Sequence, residues 1–257
     1  MGVVNITPDS FSDGGHHATT RAALTHARQL ISEGADIIDI GGESTRPGSA
    51  GVTLDDERMR VLPVLEQLAG GEVPVSVDTQ KPALMREAIE AGASMINDID
   101  ALQSPAALEA VAQSDVAVCL MHKQGTPADM QTDPRYDDVV ADVLAFLIAR
   151  VQAVRSAGVA AERIVIDPGF GFGKTLEHNL ELLRQLDRFT TGATVLAGLS
   201  RKGMLGRITG RDVNERIYAS VAAALIAVQK GARIVRVHDV TATRDALAVL
   251  TAVMGND

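Results

Sequence analysis

The chain has 257 residues and a formal net charge of −9, with 46% apolar and 22% charged residues, enough for a sizeable core in one large domain or two small ones. Aromatic residues make up only 3% and tryptophan is absent, which argues against base-stacking platforms, and the acidic balance argues against a nucleic-acid partner. No apolar run reaches the roughly 18 residues of a membrane span, no basic-then-apolar leader opens the chain, and the single Cys119 lies in an apolar run, so a cytoplasmic protein without disulfides or membrane partner is expected.

In chain order, Met1–Ile6 is a short apolar run and Thr7–Thr19 a polar, glycine-rich loop. Apolar residues then recur at Ala23, Leu24, Ala27, Leu30 and Ile31, a helical stripe over 20–33 that Gly34 stops. Asp36–Ile40 is the next buried strand, and Gly41–Thr53 a second long loop. The cycle then repeats. Helices are expected over 54–69, 82–91, 105–113, 137–157, 176–188, 214–229 and 241–253, interleaved with strands at Val73–Val77, Ser94–Ile96, Val116–Leu120, Arg163–Ile166, Thr194–Ala197 and Arg233–Val237. Eight strands that alternate with helices, with no linker or break in composition, specify a parallel sheet covered by helices. A closed (β/α)8 TIM barrel spanning residues 1–257 as one domain is the expected α/β fold, and a doubly wound open sheet is the alternative.

A barrel of this kind carries its chemistry where the strands end. Those ends hold Asn5, Asp39 with Glu43, Asp78, Asn97, His122, Asp167, the triplet Ser200–Arg201–Lys202, and Arg236 with His238. Any one of them reads equally well as a helix cap, but chemistry repeated over eight strand ends points to one site. Asp78, Asn97 and Asp167 suit a flat, neutral ligand with several N–H groups, because a carboxylate accepts paired donors side by side. Arg46, Arg201, Lys202, Arg236 and His238 stand out in an acidic chain and suit an anionic group; a solvated surface is the plainer reading for Arg201. The run IVIDPGFGFGKT, Ile164 to Thr175, is close to a phosphate loop. That pattern needs a glycine at position 168, where the chain has a proline. A phosphate loop is thereby excluded, and Lys174 and Thr175 are read as the lead into a helix.

Seven segments in order, MGVVNITPDSFSDGG, IIDIGGESTRPGS, VSVDT, INDI, IDPGFGFGKT, GLSRKG and RIVRVHDV, resemble the dihydropteroate synthase family over essentially the whole chain. The resemblance implies a transferase that joins 6-hydroxymethyl-7,8-dihydropterin pyrophosphate to p-aminobenzoate, with Mg²⁺ as cofactor and a homodimeric assembly. It implies that Asp78, Asn97, Asp167 and Lys202 hold the pterin, with Met121, Phe172 and Gly198 lining the substrate pocket. Asn5, Arg236 and His238 resemble the ligands of pyrophosphate and metal, with Asn5 on the Mg²⁺ itself. Ser10, Phe11, Thr45, Arg46 and Pro47 resemble the aminobenzoate pocket, on two loops that close over the pterin. Phe11 and Pro47 keep the family's usual identity, which implies sensitivity to sulfonamides.

The reaction so implied loses pyrophosphate from the pterin methylene through a ring-stabilised cation that the arylamine then attacks. It calls for no strong general base. Asp78, Lys202, Arg236 and His238 are the residues to which catalysis is ascribed. Three features depart from the family. The chain begins directly on its first strand, so the hairpin that closes the barrel bottom in the family is expected to be absent. Gly203 stands where many members have Ser, so one aminobenzoate contact is expected to be lost. Lys123 stands where a member carries an apolar residue. A methyltetrahydrofolate-dependent methyltransferase shares the pterin-binding logic but handles no pyrophosphate, and a non-catalytic paralogue would lack the two loop motifs, so STRPG and RVHD favour the synthase.

Overall fold

The structure, a computed structural model, describes residues 1–6, 15–44, 49, 51–126, 129–190 and 192–255. Its eight strands are β1 Gly2–Asn5, β2 Ile38–Gly41, β3 Val75–Asp78, β4 Met95–Asp98, β5 Ala117–Met121, β6 Ile164–Asp167, β7 Thr194–Ala197 and β8 Ile234–Val235. Each pairs in parallel with its successor, and a parallel bridge from Gly2 to Val237 closes the ring. This is the (β/α)8 barrel expected from the alternation of elements.

The helices are α1 Gly15–Ser32, α2 Leu54–Leu68, α3 Pro82–Glu90, α4 Pro105–Ala112, α5 Val139–Ser156, α6 Leu176–Arg184, α7 Gly203–Thr209, α8 Ile217–Gln229 and α9 Val240–Met254. Their starts follow local chemistry. Thr53 caps α2 by accepting from the Asp56 amide, proline opens α3 and α4, and Asp138 accepts from two amides at the start of α5. Proline suits a first turn, where its missing N–H has no intrahelical partner to lose. Helix α7 is not among the expected helices. It is a single short segment, GMLGRIT, whose two glycines read as loop. The stretch 176–188 divides into α6 and a 3-10 turn over Leu186–Phe189. Helix α1 begins earlier than expected, at Gly15.

The strands are buried on both faces, yet their inward and outward sides differ. Outward residues such as Ile38, Ile40, Val75, Val77, Ile96, Val118, Leu120 and Ile164 join the main core against the helices. The alternate residues point into the barrel. At its lower end Met1, Met95, Cys119, Val165 and Leu196 form a small separate cluster. One layer up, Asp39 and Ser76 face each other in register, both fully buried. One layer higher stand Asp78, Asn97 and Asp167. The interior thus grades from apolar to polar toward the strand C-termini, and a period-two pattern delivers the polar residues of four strands to one place.

Candidate active site

The upper layer opens into a cavity of about 620 Å³. Its walls include Asn5, Asp78, Asn97, Met121, Asp167, Gly198, Arg236 and His238 from strands and their exits, and Ser44, Phe172, Ser200 and Lys202 from the loops. The ten residues assigned to substrate, metal or catalysis that the structure describes therefore border one hollow. Ser10, Phe11, Thr45, Arg46 and Pro47 lie outside the described residues. Three of the strand-end residues grouped with the site do not line it. Asp39 sits one layer below. Glu43 turns to Lys81, whose ammonium also binds the fully buried Glu57 of α2. His122 lies behind the loop that follows β6.

Arg236 is the hub of the polar layer. Its Nε donates to Asp39 Oδ2 at 2.6 Å and its Nη2 to Asp78 Oδ2 at 3.1 Å. The Asn97 side-chain amide also donates to Asp39 Oδ2, at 3.3 Å. Burial works against the Arg236 charge, but Asp39 and Asp78 outweigh it and raise its pKa. Asp39 is the site residue that the sequence alone undervalues. Its spacing groups it with Glu43 at a strand end, whereas it is a fully buried counterion beneath the cavity floor. A signal for it exists, because a carboxylate in the middle of the apolar run DIIDI needs a partner.

The two carboxylates of the cavity are held away from easy ionisation. Asp78 is pushed up to about 7, by burial first, with Asp39, Glu57 and Asp98 adding to the rise and Arg236 opposing it. Burial also raises Asp167, against the Gly169 amide and the charges of Lys202, Lys174 and Arg236. Lys202 projects its ammonium over the Phe172 ring, 4.2 Å from the centroid, a cation–π contact that fixes both on one wall.

Behind Lys202 the backbone is strained. Arg201 adopts a left-handed conformation, φ 58°, which a non-glycine residue keeps only when its surroundings impose it. Its amide donates to Ser220 Oγ at 2.9 Å, and its guanidinium binds Asp239 through two nitrogens at 2.6 and 3.1 Å. Arg201 is thus a tethered ion pair and not a solvated surface residue. Ser200 Oγ lies 3.0 Å from His238 Nδ1 and accepts from the His238 amide. Lys123, unexplained by the sequence, pairs with Asp100 at 2.7 Å.

The loop after β6 shows why its phosphate-loop likeness misleads. A phosphate loop turns backbone N–H groups toward an anion. Here carbonyls turn inward, toward the chain's own Lys174, whose ammonium donates to the oxygens of Gly169 and Phe172 at 3.0 Å each and to that of His122, from the β5 exit, at 3.4 Å. The fold is possible only with glycine where the chain doubles back. At Gly169, φ 71°, a Cβ would stand 1.8 Å from the His122 carbonyl oxygen. Thr175 then caps α6 in a reciprocal capping box with His178, the helix lead-in expected of it.

A barrel with a polar cavity at its strand C-termini is the fold and site of many enzymes, and the family model described as pterin binding enzyme matches residues 1–238. The Escherichia coli (strain K12) dihydropteroate synthase is 49% identical over 256 residues, covering 99% of this chain and 91% of its own length. Among solved structures, the Xanthomonas albilineans dihydropteroate synthase with 4-aminobenzoic acid has a TM-score of 0.94 at 53% identity, covering 100% of this chain and 93% of that one. The Yersinia pestis enzyme with a sulfonamide drug complex has a TM-score of 0.93 at 48% identity, covering 99% and 93%. The chain belongs to the pterin-binding enzyme family, and within it to the dihydropteroate synthases. It is a transferase of a pterinylmethyl group.

The raised pKa of Asp78 has a consequence for stability. A carboxylate whose folded pKa lies above its unfolded value binds protons more tightly in the fold, so the stability this gives is fully present below the unfolded value and is lost as the pH rises through the folded value. Asp78→Asn is expected to melt at a higher temperature than the parent at about pH 8, and to lose that advantage progressively as the pH falls from about 7 toward about 4. Thermal unfolding across that range checks it, and an advantage that grew toward acid pH would contradict the assignment.

Proposed function

We propose that this cavity joins 6-hydroxymethyl-7,8-dihydropterin pyrophosphate to p-aminobenzoate, releasing pyrophosphate and 7,8-dihydropteroate, with the residue roles set out below. The observation that carries the assignment is the convergence of Asp78, Asn97 and Asp167 with Lys202 and Arg236 around one hollow. Asp167 accepts the paired N–H groups of the pterin amino-pyrimidine edge, Asn97 and Asp78 take further ring donors, and Lys202 donates to the ring carbonyl. Met121, Phe172 and Gly198 border the ring.

The carbon–oxygen bond between methylene and pyrophosphate breaks with its electron pair leaving on the anion. The arylamine nitrogen then forms the new carbon–nitrogen bond and gives its proton to solvent. Asp78, next to the ring in its ionised form, favours the developing positive charge. Arg236 spends Nε and Nη2 on the two carboxylates, and its Nη1, with His238 on the same cavity wall, is assigned to the departing anion. The aminobenzoate contacts are assigned to Ser10, Phe11, Thr45, Arg46 and Pro47, and exclusion of water from the cation favours its capture by the arylamine. Gly203, which lines the cavity next to Lys202, offers no side-chain contact there.

Magnesium fits this cavity. Among the described residues no cluster of three or more His, Cys, Asp or Glu could cage a metal, but Mg²⁺ bound with phosphate takes one or two protein ligands and keeps several waters. Asn5, at the end of β1 on the cavity wall, would supply one such oxygen, and an ion held there would offset pyrophosphate charge.

The assembly is proposed to be a homodimer in the cytoplasm. No helix among the described residues is long and apolar enough to cross a membrane. Helix α8, IYASVAAALIAVQ, carries no charge at all, and Tyr218, 85% exposed, and Ile226 lie on its outer side, beside the exposed Val249 and Val253 of α9. An uncharged, solvent-facing helix stripe of this kind marks a protein interface.

Three outcomes are expected. Pyrophosphate release from the pterin substrate depends on p-aminobenzoate, and Lys202→Ala lowers its kcat/KM by about 100-fold or more while thermal unfolding stays cooperative; a folded Lys202→Ala enzyme with parental kcat/KM would sink the role. A sulfonamide raises the KM for p-aminobenzoate without lowering the maximal rate, and any other inhibition pattern counts against the shared pocket. Light scattering of the eluted protein gives a dimer mass that Ile226→Glu reduces to a monomer's; a parental monomer removes the proposal.

A further inference from the structure

Lys174 is the most enclosed cation among the described residues and the reaction gives it no role. Lys174 is 2% exposed. Beyond the three carbonyls, its Nζ lies 3.0 Å from His122 Nδ1. Burial, then the Lys174 charge, drive His122 down to about 3, so the imidazole is neutral and that nitrogen accepts from the ammonium. Every group around the ammonium is an acceptor. A neutral amine keeps two hydrogens for four acceptors and loses the charge that draws carbonyl dipoles together.

Two of those carbonyls, of Gly169 and Phe172, belong to the loop that carries the ring-binding carboxylate, and the third, of His122, to the exit of β5. Gly169 supplies one carbonyl to Lys174, and its amide, on the other side, donates to Asp167 Oδ1 at 2.7 Å. Phe172 supplies another carbonyl, and its ring forms the cavity wall under Lys202. The same two residues therefore bind Lys174 on one side and shape the cavity on the other. The remaining bonds of the loop come from neutral groups. Asn179 Oδ1 accepts from the Gly171 amide, and the Tyr136 hydroxyl donates to the Gly173 carbonyl.

We propose that Lys174 is a positioning residue for the pterin: its ammonium gathers the carbonyls of His122, Gly169 and Phe172, so that the Asp167–Gly173 loop holds the shape that receives the ring, and ring affinity follows the protonation of Lys174. This rests on the assignment of the cavity to a pterin. The groups that face Lys174 are His122 from the β5 exit, Asp167 from β6 and Lys202 from the loop before α7, with Tyr136 and His178 stacked beyond. Burial lowers the Lys174 pKa to about 7, Lys202 adds to the fall and Asp167 opposes it. The ammonium is thus present below about 7 and lost as the pH rises through it.

The test uses the unreactive alcohol 6-hydroxymethyl-7,8-dihydropterin, which carries no pyrophosphate, in calorimetric titrations of the intact protein. Affinity is expected to fall by about tenfold per pH unit above about 7, because only the protonated fraction binds well. Binding at about pH 8 takes up close to one proton, read from buffers of different ionisation enthalpy. Lys174→Met weakens the alcohol by about tenfold or more at neutral pH, abolishes the alkaline fall and leaves the KM for p-aminobenzoate unchanged. Lys174→Gln, which restores donors without charge, recovers part of the affinity but not the pH dependence. Constant parental affinity above pH 7 with no proton uptake overturns the inference, even if Lys174→Met fails to fold. An alcohol that binds the parent at no pH overturns instead the assignment of the cavity to a pterin.

Discussion

The guanidinium of Arg236 stands between two carboxylates inside a ring of strands, and the polar half of the barrel is built around it. Asp39 and Asp78 come from β2 and β3 and the arginine from beside β8, so the triad spans the seam where the short β8 meets β1. Neither carboxylate could be buried alone, since an unpaired charge away from water costs several kcal/mol. A lysine could not replace the arginine, because one ammonium lacks the planar fork that reaches two acids at once. Asp39 then lies beneath the cavity with Arg236 and Asp78 on its wall, which puts a carboxylate where a ligand develops positive charge.

Around that hub the site divides by the kind of support each side chain has. Asp78 and Asn97 project from strands and move only with the barrel. Lys202 depends on a strained left-handed Arg201, itself held by Asp239 and by Ser220 of α8. Asp167 depends on a glycine loop wound over a buried ammonium. Strain and buried charge of this kind destabilise a fold, and proteins keep them where geometry matters more than stability. Helix α8 belongs to both worlds, since its inner face steadies Arg201 through Ser220 and its outer face is the uncharged stripe of Tyr218 and Ile226.

Much of the site is legible in the order of residues along the chain. Asn5, Asp78, Asn97 and Asp167 each close an apolar run, and apolar runs that alternate with helical stripes oblige strand ends to meet at one rim. The barrel follows from the same alternation. Other features are not legible because they depend on what lies opposite. Helix α7, with two glycines in GMLGRIT, has too weak a local preference to be read, and holds by packing Met204 and Leu205 into the core of α5, α6 and α8. Arg201 reads as a surface cation because its partner Asp239 lies 38 residues away.

The amino-acid sequence by itself determined the barrel, the family and the residue types around the cavity, because periodicity, turn chemistry and strand-end polarity are local properties of the chain. Only the tertiary structure decided what those charges do to one another. It placed Asp39 beneath Arg236, pushed Asp78 up to about 7, and turned a run resembling a phosphate cradle into a carbonyl cage for Lys174. Each of those outcomes depends on burial and on charges brought together from distant strands, and no spacing along the chain encodes them.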